Sequence, residues 1–289
     1  MGKVRPYFLV TTLAVVLFLG CKVSFFVAFN GEDSSTLYVR VTDARPALPP
    51  GTEAVFITFE EFYVHREGGD WISLPLVNSP YAIDLLELHS GKTSQLVNSA
   101  KLDAGNYDSI RALVSSAAVL NGGIFYSVPL PPGTLSIERK FLFELRGGKT
   151  LDLTIDFDLS QSLAVSGSQL SPSYQLKPVL HINATKEAAA IQGEIAAETF
   201  KEHQSAEATV TVFLDKDQSG GLNGVDEEYT RVLVDKENRL FTIFWLVPEQ
   251  GYIVQLELNG HDPPEFEQFV FPADLQKGNT FILNQGNPI

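Results

Sequence analysis

The chain has 289 residues, and its 35 acidic and 21 basic side chains give a formal net charge of −14. This acidic excess argues against nucleic acid as a partner, because phosphate backbones are bound through clustered basic residues, and the longest basic feature is the pair Arg139-Lys140. A composition with 44% hydrophobic and 19% charged residues excludes a disordered chain, and 20 Phe and 9 Tyr favour strands. The single cysteine, Cys21, excludes an internal disulfide. The length allows two ordinary domains.

The first 21 residues have the composition of a secretory signal. A basic start with Lys3 and Arg5 precedes an apolar run over 7–19, which is too short for a comfortable membrane span. The run Leu17-Phe18-Leu19-Gly20-Cys21 resembles the lipobox of bacterial lipoproteins. The resemblance implies that the Cys21 sulfur receives a diacylglyceryl group and becomes the new N-terminus. Residues 1–20 are then a signal peptide, and residues 21–35 are an anchor and spacer.

Two alternatives stay open for this segment, because Phe18 stands where lipoboxes usually have leucine and a second apolar run follows at 23–29. An uncleaved anchor over 8–29 would place Lys22 inside the membrane at a cost of about 2.5 to 3.5 kcal/mol. Ordinary secretory cleavage lacks a clean Ala-x-Ala site. We therefore expect a lipid-anchored protein of the cell envelope. By resemblance to lipoprotein sorting rules, Lys22 indicates the outer membrane.

Alternation of apolar and polar residues predicts strands after the spacer. Residues 36–42 alternate with period two. In the run 55–66 the apolar parity changes at Glu60-Glu61, which predicts a β-bulge or a break there. Residues 151–158 alternate again, and their polar positions carry three carboxylates, from Asp152, Asp156 and Asp158. We interpret these carboxylates as the solvated face of a sheet, with a cation site as the alternative.

Several short segments of residues 36–185 occur in the order seen in the domain-of-unknown-function 4382 family. They are Val41-Thr42-Asp43-Ala44, Val64-His65-Arg66 with Trp71, Asp84-Leu85-Leu86, Ala104-Gly105-Asn106-Tyr107-Asp108-Ser109-Ile110-Arg111, Asp156-Phe157-Asp158 and Leu176-Lys177-Pro178-Val179-Leu180. The resemblance implies an all-β module of bacterial lipoproteins. The family has no established activity, so it supplies no catalytic residue.

A polar, alanine-rich joint at 186–190 separates this module from a second set of strands over 190–289. There, residues 238–248 and the following Gly251-Tyr252-Ile253-Val254 resemble a carboxypeptidase-regulatory, prealbumin-like sandwich. In that family a tyrosine opens the strand after a proline corner. The predicted fold class is therefore all-β, with two β-sandwich domains of immunoglobulin-like or prealbumin-like type after an N-terminal signal.

The second set of strands contains one loop with metal-ligand spacing. Counting Asp215 as position 1, oxygen-bearing side chains fall at positions 3, 5, 9 and 12, and glycine stands at position 6. Calcium takes six to eight oxygen ligands, and glycine at the sixth position allows a sharp turn around the ion. The predicted calcium ligands are Asp215, Asp217, Ser219, Gly221, Asn223 and Asp226.

The loop departs from the helical EF-hand, because position 12 is Asp226 rather than glutamate and its flanks are predicted strands. It is more similar to the Asp-x-Asp-x-x-Gly loops between strands of prealbumin-like surface modules. The alternative is a polar hairpin in which Asp, Ser, Asn and Gly are present because they favour turn conformations.

The chain shows no hydrolase, phosphate-loop or dinucleotide motif, and its histidines His65, His89, His181, His203 and His261 are scattered. We therefore expect a membrane-tethered, non-catalytic envelope protein that presents β-sandwich loops for ligand binding, adhesion or assembly. The main alternative is a carbohydrate-binding accessory protein, for which one exposed aromatic face would carry Tyr63, Trp71, Tyr81 or Tyr126. A hydrolase is the third interpretation. The partner is an unknown protein or carbohydrate.

Overall fold

The computed structural model describes residues 34–43, 46, 48–130, 135–168, 171–195, 208–235, 237–258, 265–271 and 275–282. The predicted signal peptide, Cys21 and most of the predicted spacer lie outside these residues. Strands supply nearly all of the regular secondary structure in the described residues, which confirms the predicted all-β class. None of its helices is long and apolar enough to cross a membrane.

Twelve strands form the part that we call the first β region, residues 34–184. Their bounds are Ser34–Thr42 (β1), Thr52–Arg66 (β2), Trp71–Leu74 (β3), Tyr81–Asp84 (β4), Ser94–Asp103 (β5), Gly105–Asn121 (β6), Ile124–Ser127 (β7), Leu135–Leu145 (β8), Thr150–Phe157 (β9), Leu163–Ser168 (β10), Ser171–Leu176 (β11) and Leu180–Ala184 (β12). A 3-10 helix, Leu85–Leu88, follows β4, and a one-turn α-helix, Leu159–Ser162 (α1), follows β9.

Two larger sheets pack on one hydrophobic core in this region, and β10 and β11 form a separate two-stranded sheet. One sheet has four strands in the order β12-β9-β1-β5, with β1 parallel to β9. The other has six strands, in which β3-β2-β6-β7 form the main path, β4 pairs with β2, and β8 pairs with β6. The core includes Leu37, Val39 and Val41 of β1, which are at most 1% exposed. The period-two pattern of residues 36–42 thus places its apolar side chains inside the sandwich.

The bulge predicted at Glu60-Glu61 is confirmed. Opposite β6, the register shifts on both sides of Phe59, so that Phe59 pairs with Val114 and Glu61 with Leu113, and Glu60 is the extra residue. Both Phe59 and Phe62 are buried, at 3% and 0% exposure. The extra residue therefore lets both aromatic side chains reach the same core although their positions differ in parity.

Seven further strands form the second β region, residues 189–282. Their bounds are Ala189–Glu194 (β13), Ala208–Leu214 (β14), Glu227–Leu233 (β15), Leu240–Leu246 (β16), Tyr252–Leu258 (β17), Glu265–Phe271 (β18) and Thr280–Ile282 (β19). They form a three-stranded sheet, β16-β13-β19, and a four-stranded sheet, β15-β14-β17-β18, around a second core. The strand β17 begins at Tyr252, at the position that the prealbumin-like resemblance implies.

The interpretation of Asp156 and Asp158 as a solvated sheet face is wrong. Their exposures are 2% and 1%, because the second β region covers this end of β9 and β12. The His181 ring of β12 stacks on the Tyr229 ring of β15 with 4.0 Å between ring centroids. Only Asp152 fits the solvated interpretation, since its carboxylate is partly exposed and forms an ion pair with Arg40 at 2.9 Å. Alternation gives the two faces of a strand, but it does not reveal a second layer packed on the polar face.

Candidate calcium-binding loop

The predicted calcium ligands lie in the loop between β14 and β15. These strands are antiparallel neighbours, and the last residue of β14, Leu214, pairs with the first residue of β15, Glu227. Both flanks are therefore strands, as the sequence predicts. The ladder closes directly beneath the loop, so residues 215–226 leave and return at adjacent points of one sheet edge.

Asp215 is the inner member of the loop. Its side chain is at the end of β14 and only 6% exposed. Its backbone N–H donates to the Gly251 carbonyl at 3.0 Å, which ties this position to the turn before β17. Its two carboxylate oxygens accept from the backbone N–H groups of Ser219 at 3.0 Å and Gly220 at 3.1 Å. The carboxylate therefore folds the first half of the loop around itself.

Gly220, the sixth position of the loop, has φ of +72°. This left-handed backbone conformation is favourable for glycine and costly for most other residues. The sharp turn at this position explains why calcium loops have glycine there. Gln218 also has positive φ, at +54°, so the chain turns twice within three residues.

The middle of the loop gathers oxygen atoms around one point. The side-chain nitrogen of Asn223 donates to Asp217 Oδ2 at 3.1 Å, to Ser219 Oγ at 2.9 Å and to the Gly221 carbonyl at 3.3 Å. These acceptors belong to the third, fifth and seventh positions of the loop. A single partly positive nitrogen thus occupies a place on which three predicted ligands converge.

Asp226 closes the loop from its far end. Its carboxylate accepts from the backbone N–H groups of Lys216 at 3.2 Å and Asn223 at 2.8 Å. One carboxylate oxygen each of Asp215, Asp217 and Asp226 lies within 4.8 Å of the others. The three aspartates therefore converge, and Ser219 and the Gly221 carbonyl meet them at the Asn223 nitrogen. The Asn223 oxygen accepts from the Val225 N–H at 2.9 Å instead, and calcium binding itself stays a prediction.

The loop is electrostatically negative. The hydroxyl of Ser219 is the main cause that lowers the pKa of the Asp217 carboxyl, and hydrogen bonds from the Ser219 backbone and the Asn223 amide add to it. Asp217 is therefore ionised at neutral pH. Lys216 is the single basic residue of the loop, and its ammonium group contacts Glu227 outside the loop rather than the three aspartates. A divalent cation would neutralise charge that the loop's own lysine leaves unpaired.

The four aromatic residues considered for carbohydrate binding do not share one open face. The Arg111 guanidinium lies 3.8 Å from the centroid of the Trp71 ring, so one ring face is already covered. The Tyr81 hydroxyl bonds the Ser94 hydroxyl at 2.6 Å, and the Tyr126 ring packs on Tyr174 at 5.6 Å. Tyr63 contacts Glu61 on its own strand. These contacts give the aromatic residues structural partners.

Sequence reasoning missed one polar cluster, which joins the two β regions. The Nε2 atom of His181 lies 3.8 Å from the Asp158 carboxylate, and the Gln161 amide donates to the Tyr229 carbonyl at 2.6 Å. Burial raises the pKa of Tyr229 well above its ordinary value, so this side chain is neutral. The Asn183 amide adds a bond to the Trp245 carbonyl. No local pattern signals this cluster, because its members come from distant segments.

Comparison with known proteins gives a family but no activity. Two solved structures, each described as a "putative cell adhesion protein", align over most of the chain. The one from Bacteroides fragilis is 8% identical and covers 89% of this chain and 96% of its own, with a TM-score of 0.20. The one from Parabacteroides distasonis is 11% identical and covers 83% and 84%, with a TM-score of 0.23. At these scores neither likeness carries an argument about this chain.

No curated protein matches the sequence. A family model does match, over residues 34–178, and this range agrees closely with the predicted range of 36–185. The chain belongs to the family described as domain of unknown function, DUF4382.

Proposed function

We propose that the chain is a non-catalytic lipoprotein of the cell envelope, tethered by Cys21, whose β regions present loops for ligand binding, adhesion or assembly. The loop over 215–226 binds one structural calcium ion in this proposal. The observation that carries the calcium proposal is the convergence of the Asp215, Asp217 and Asp226 carboxylates, with Gly220 in the left-handed conformation at the turn. Calcium neutralises the three carboxylates and holds the two ends of the loop together.

The first test of the calcium proposal is thermal unfolding of the intact chain with calcium or with a chelator. An ion that binds only the folded state adds about 2.7 kcal/mol of stability at a concentration of about one hundred times its dissociation constant. The variant with Asp215→Ala and Asp217→Ala removes two ligands and is expected to lose this gain. Glu237→Gln is the matched control, because it removes one exposed carboxylate of the same β region outside the loop. Equal calcium shifts in all three proteins would contradict the proposal.

The tethering part is tested separately, by growing cells with an alkyne-tagged fatty acid. We expect the label on the wild-type chain and its loss in Cys21→Ser, because the cysteine sulfur is the acylation point that the lipobox implies. If cleavage depends on lipidation, the same variant is expected to keep residues 1–20 and to migrate as a longer chain than the wild type. A labelled Cys21→Ser chain, or a wild-type chain without label, would exclude lipidation at this residue.

A further inference from the structure

One strand edge of the first β region lacks a neighbour among the residues that the structure describes. The strand β8 hydrogen-bonds β6 along one edge only. Its other edge borders a cleft of about 690 Å³, which is lined by Phe141 and Phe143 of β8, by β9 and by residues of the second β region. A free edge exposes a row of backbone N–H and C=O groups that can pair with another strand.

The outward side chains of β8 combine an exposed apolar residue with charges of both signs. Exposure alternates regularly along the strand, and the exposed positions include Glu138, Lys140, Leu142 and Glu144, with Arg146 exposed directly after the strand. Leu142 is 77% exposed, the highest value among the large apolar side chains that the structure describes. The charges follow the order negative, positive, apolar, negative, positive.

This order is complementary to itself about Leu142. When two copies of the strand run antiparallel around a twofold axis at Leu142, each Leu142 lies opposite the other. Lys140 then lies opposite Glu144 of the second copy, and Glu138 lies opposite Arg146. Directly opposite residues on antiparallel strands form the closest side-chain pairs, and opposite charges in such pairs are favourable.

The neighbouring symmetric registers lack this complementarity. A twofold axis at Phe141 would set Glu138 opposite Glu144, and an axis at Phe143 would set Lys140 opposite Arg146. Like charges in directly opposite positions are destabilising. The charge pattern therefore favours one of the three registers. Charges that serve only to prevent pairing at a sheet edge do not need to favour any register.

The inward side chains fit the same register. With the axis at Leu142, Phe141 of each copy lies opposite Phe143 of the other. Both rings are only partly buried in the single chain, and they stack with 5.9 Å between centroids along the cleft. Pairing thus covers Leu142 and the two partly buried phenylalanine rings together. The contact surface is the same on both copies, as a twofold axis requires.

We propose that the chain forms a symmetric dimer in which β8 pairs with β8 of a second copy, antiparallel and centred on Leu142. The two six-stranded sheets become one continuous sheet across the interface. The existing pairs Arg111–Glu138 and Glu144–Arg146, at 2.8 Å each, then extend into a charged row that crosses the twofold axis.

A charge exchange tests the register. Sedimentation of the intact chain in mild detergent gives the dimer dissociation constant for the wild type, for Lys140→Glu, for Glu144→Lys and for the double variant. We expect each single variant to weaken the dimer by about ten-fold or more, since each sets like charges opposite one another twice. The double variant restores opposite signs and is expected to return to within about three-fold of the wild type. Lys177→Glu, at an exposed lysine outside β8, is expected to have no effect.

Disulfide trapping tests the centre of the interface without any charge change. In a full chain carrying Cys21→Ser, the variant Leu142→Cys places two cysteines directly opposite each other, within the Cα separation that a disulfide needs. Phe125→Cys is the control, because Phe125 is also a large and exposed apolar residue, at 66%, on the separate strand β7. We expect covalent dimer from Leu142→Cys and at most a trace from Phe125→Cys. A monomeric wild type at all concentrations, equal trapping at both positions, or a double charge variant as weak as the single variants would overturn the proposal.

Discussion

The two aspartate clusters of this chain differ in the partners of their carboxylates. Asp158 is 1% exposed and has His181 at 3.8 Å, together with hydrogen bonds from Ser160 and Gln161. The loop aspartates accept mainly backbone N–H groups, and Lys216 turns away from them to Glu227. A buried carboxylate that has an imidazole and hydrogen-bond donors beside it joins parts of the fold. Three carboxylates that converge while the neighbouring lysine contacts another residue are suited to an ion from solution.

The largest expected effect comes from removing the buried member of this comparison. Asp158→Ala leaves His181 without its carboxylate and removes the bond that Asp158 accepts from the Gln161 N–H at the start of α1. We expect a loss of about 3 kcal/mol in the free energy of unfolding, measured with urea. Asp152→Ala is the control in β9, the strand that ends just before Asp158, because its pair with Arg40 is partly exposed and is worth less than about 1 kcal/mol. Equal losses of unfolding free energy at both positions would contradict the larger contribution that we assign to the buried carboxylate of Asp158.

The same cluster predicts a pH dependence. Burial raises the pKa of Asp158, but the nearby His181 imidazole and hydrogen bonds from Ser160 and Gln161 outweigh it and hold that pKa below the ordinary value of 3.8. A carboxyl group whose pKa is lower in the folded state adds stability above its unfolded pKa, and this stability is lost as pH falls through the lowered value. We therefore expect acid unfolding of the wild type below pH 3.8 to include a contribution that Asp158→Asn lacks.

That contribution is limited to one proton, so the slopes of stability against pH differ by at most about 1.4 kcal/mol per pH unit. The measurement is urea unfolding at a series of pH values from neutral to acid. Parallel curves for the wild type and Asp158→Asn would contradict the assigned pKa direction.

The smallest expected effect is at the solvent-facing member of the comparison. Asp217→Asn keeps the shape of the side chain and removes one exposed charge from the loop. In chelator we expect an unfolding midpoint equal to that of the wild type, because no buried group loses a partner. In calcium we expect the unfolding midpoint of the variant to be lower than that of the wild type. A clear loss of stability in chelator would mean that Asp217 holds the loop without any ion.

Local patterns predict much of the first β region. The alternation of residues 36–42 gives β1, and the parity change at Glu60-Glu61 gives the bulge, because both follow from the period-two geometry of a strand. The spacing of the loop likewise predicts which oxygens can meet, since its twelve residues are contiguous. These features depend on neighbours in the chain.

The features that the sequence does not predict depend on the order of strands and on contact between the two regions. Nothing near Asp158 indicates that His181 lies beside it or that Tyr229 of the second β region stacks on that histidine. The free edge of β8 is equally hidden, because a strand pattern identifies faces but not which strand lies at the end of a sheet. Long-range packing decides both.

The most direct test of the calcium site is a calorimetric titration of the intact chain with calcium. One ion should bind per wild-type chain, and binding should be lost in the variant with Asp215→Ala and Asp217→Ala while Glu237→Gln binds as the wild type does. This result would establish residues 215–226 as a calcium site. Binding that is unchanged in the double variant, or absent from the wild type, would contradict the site and leave the loop as a polar hairpin.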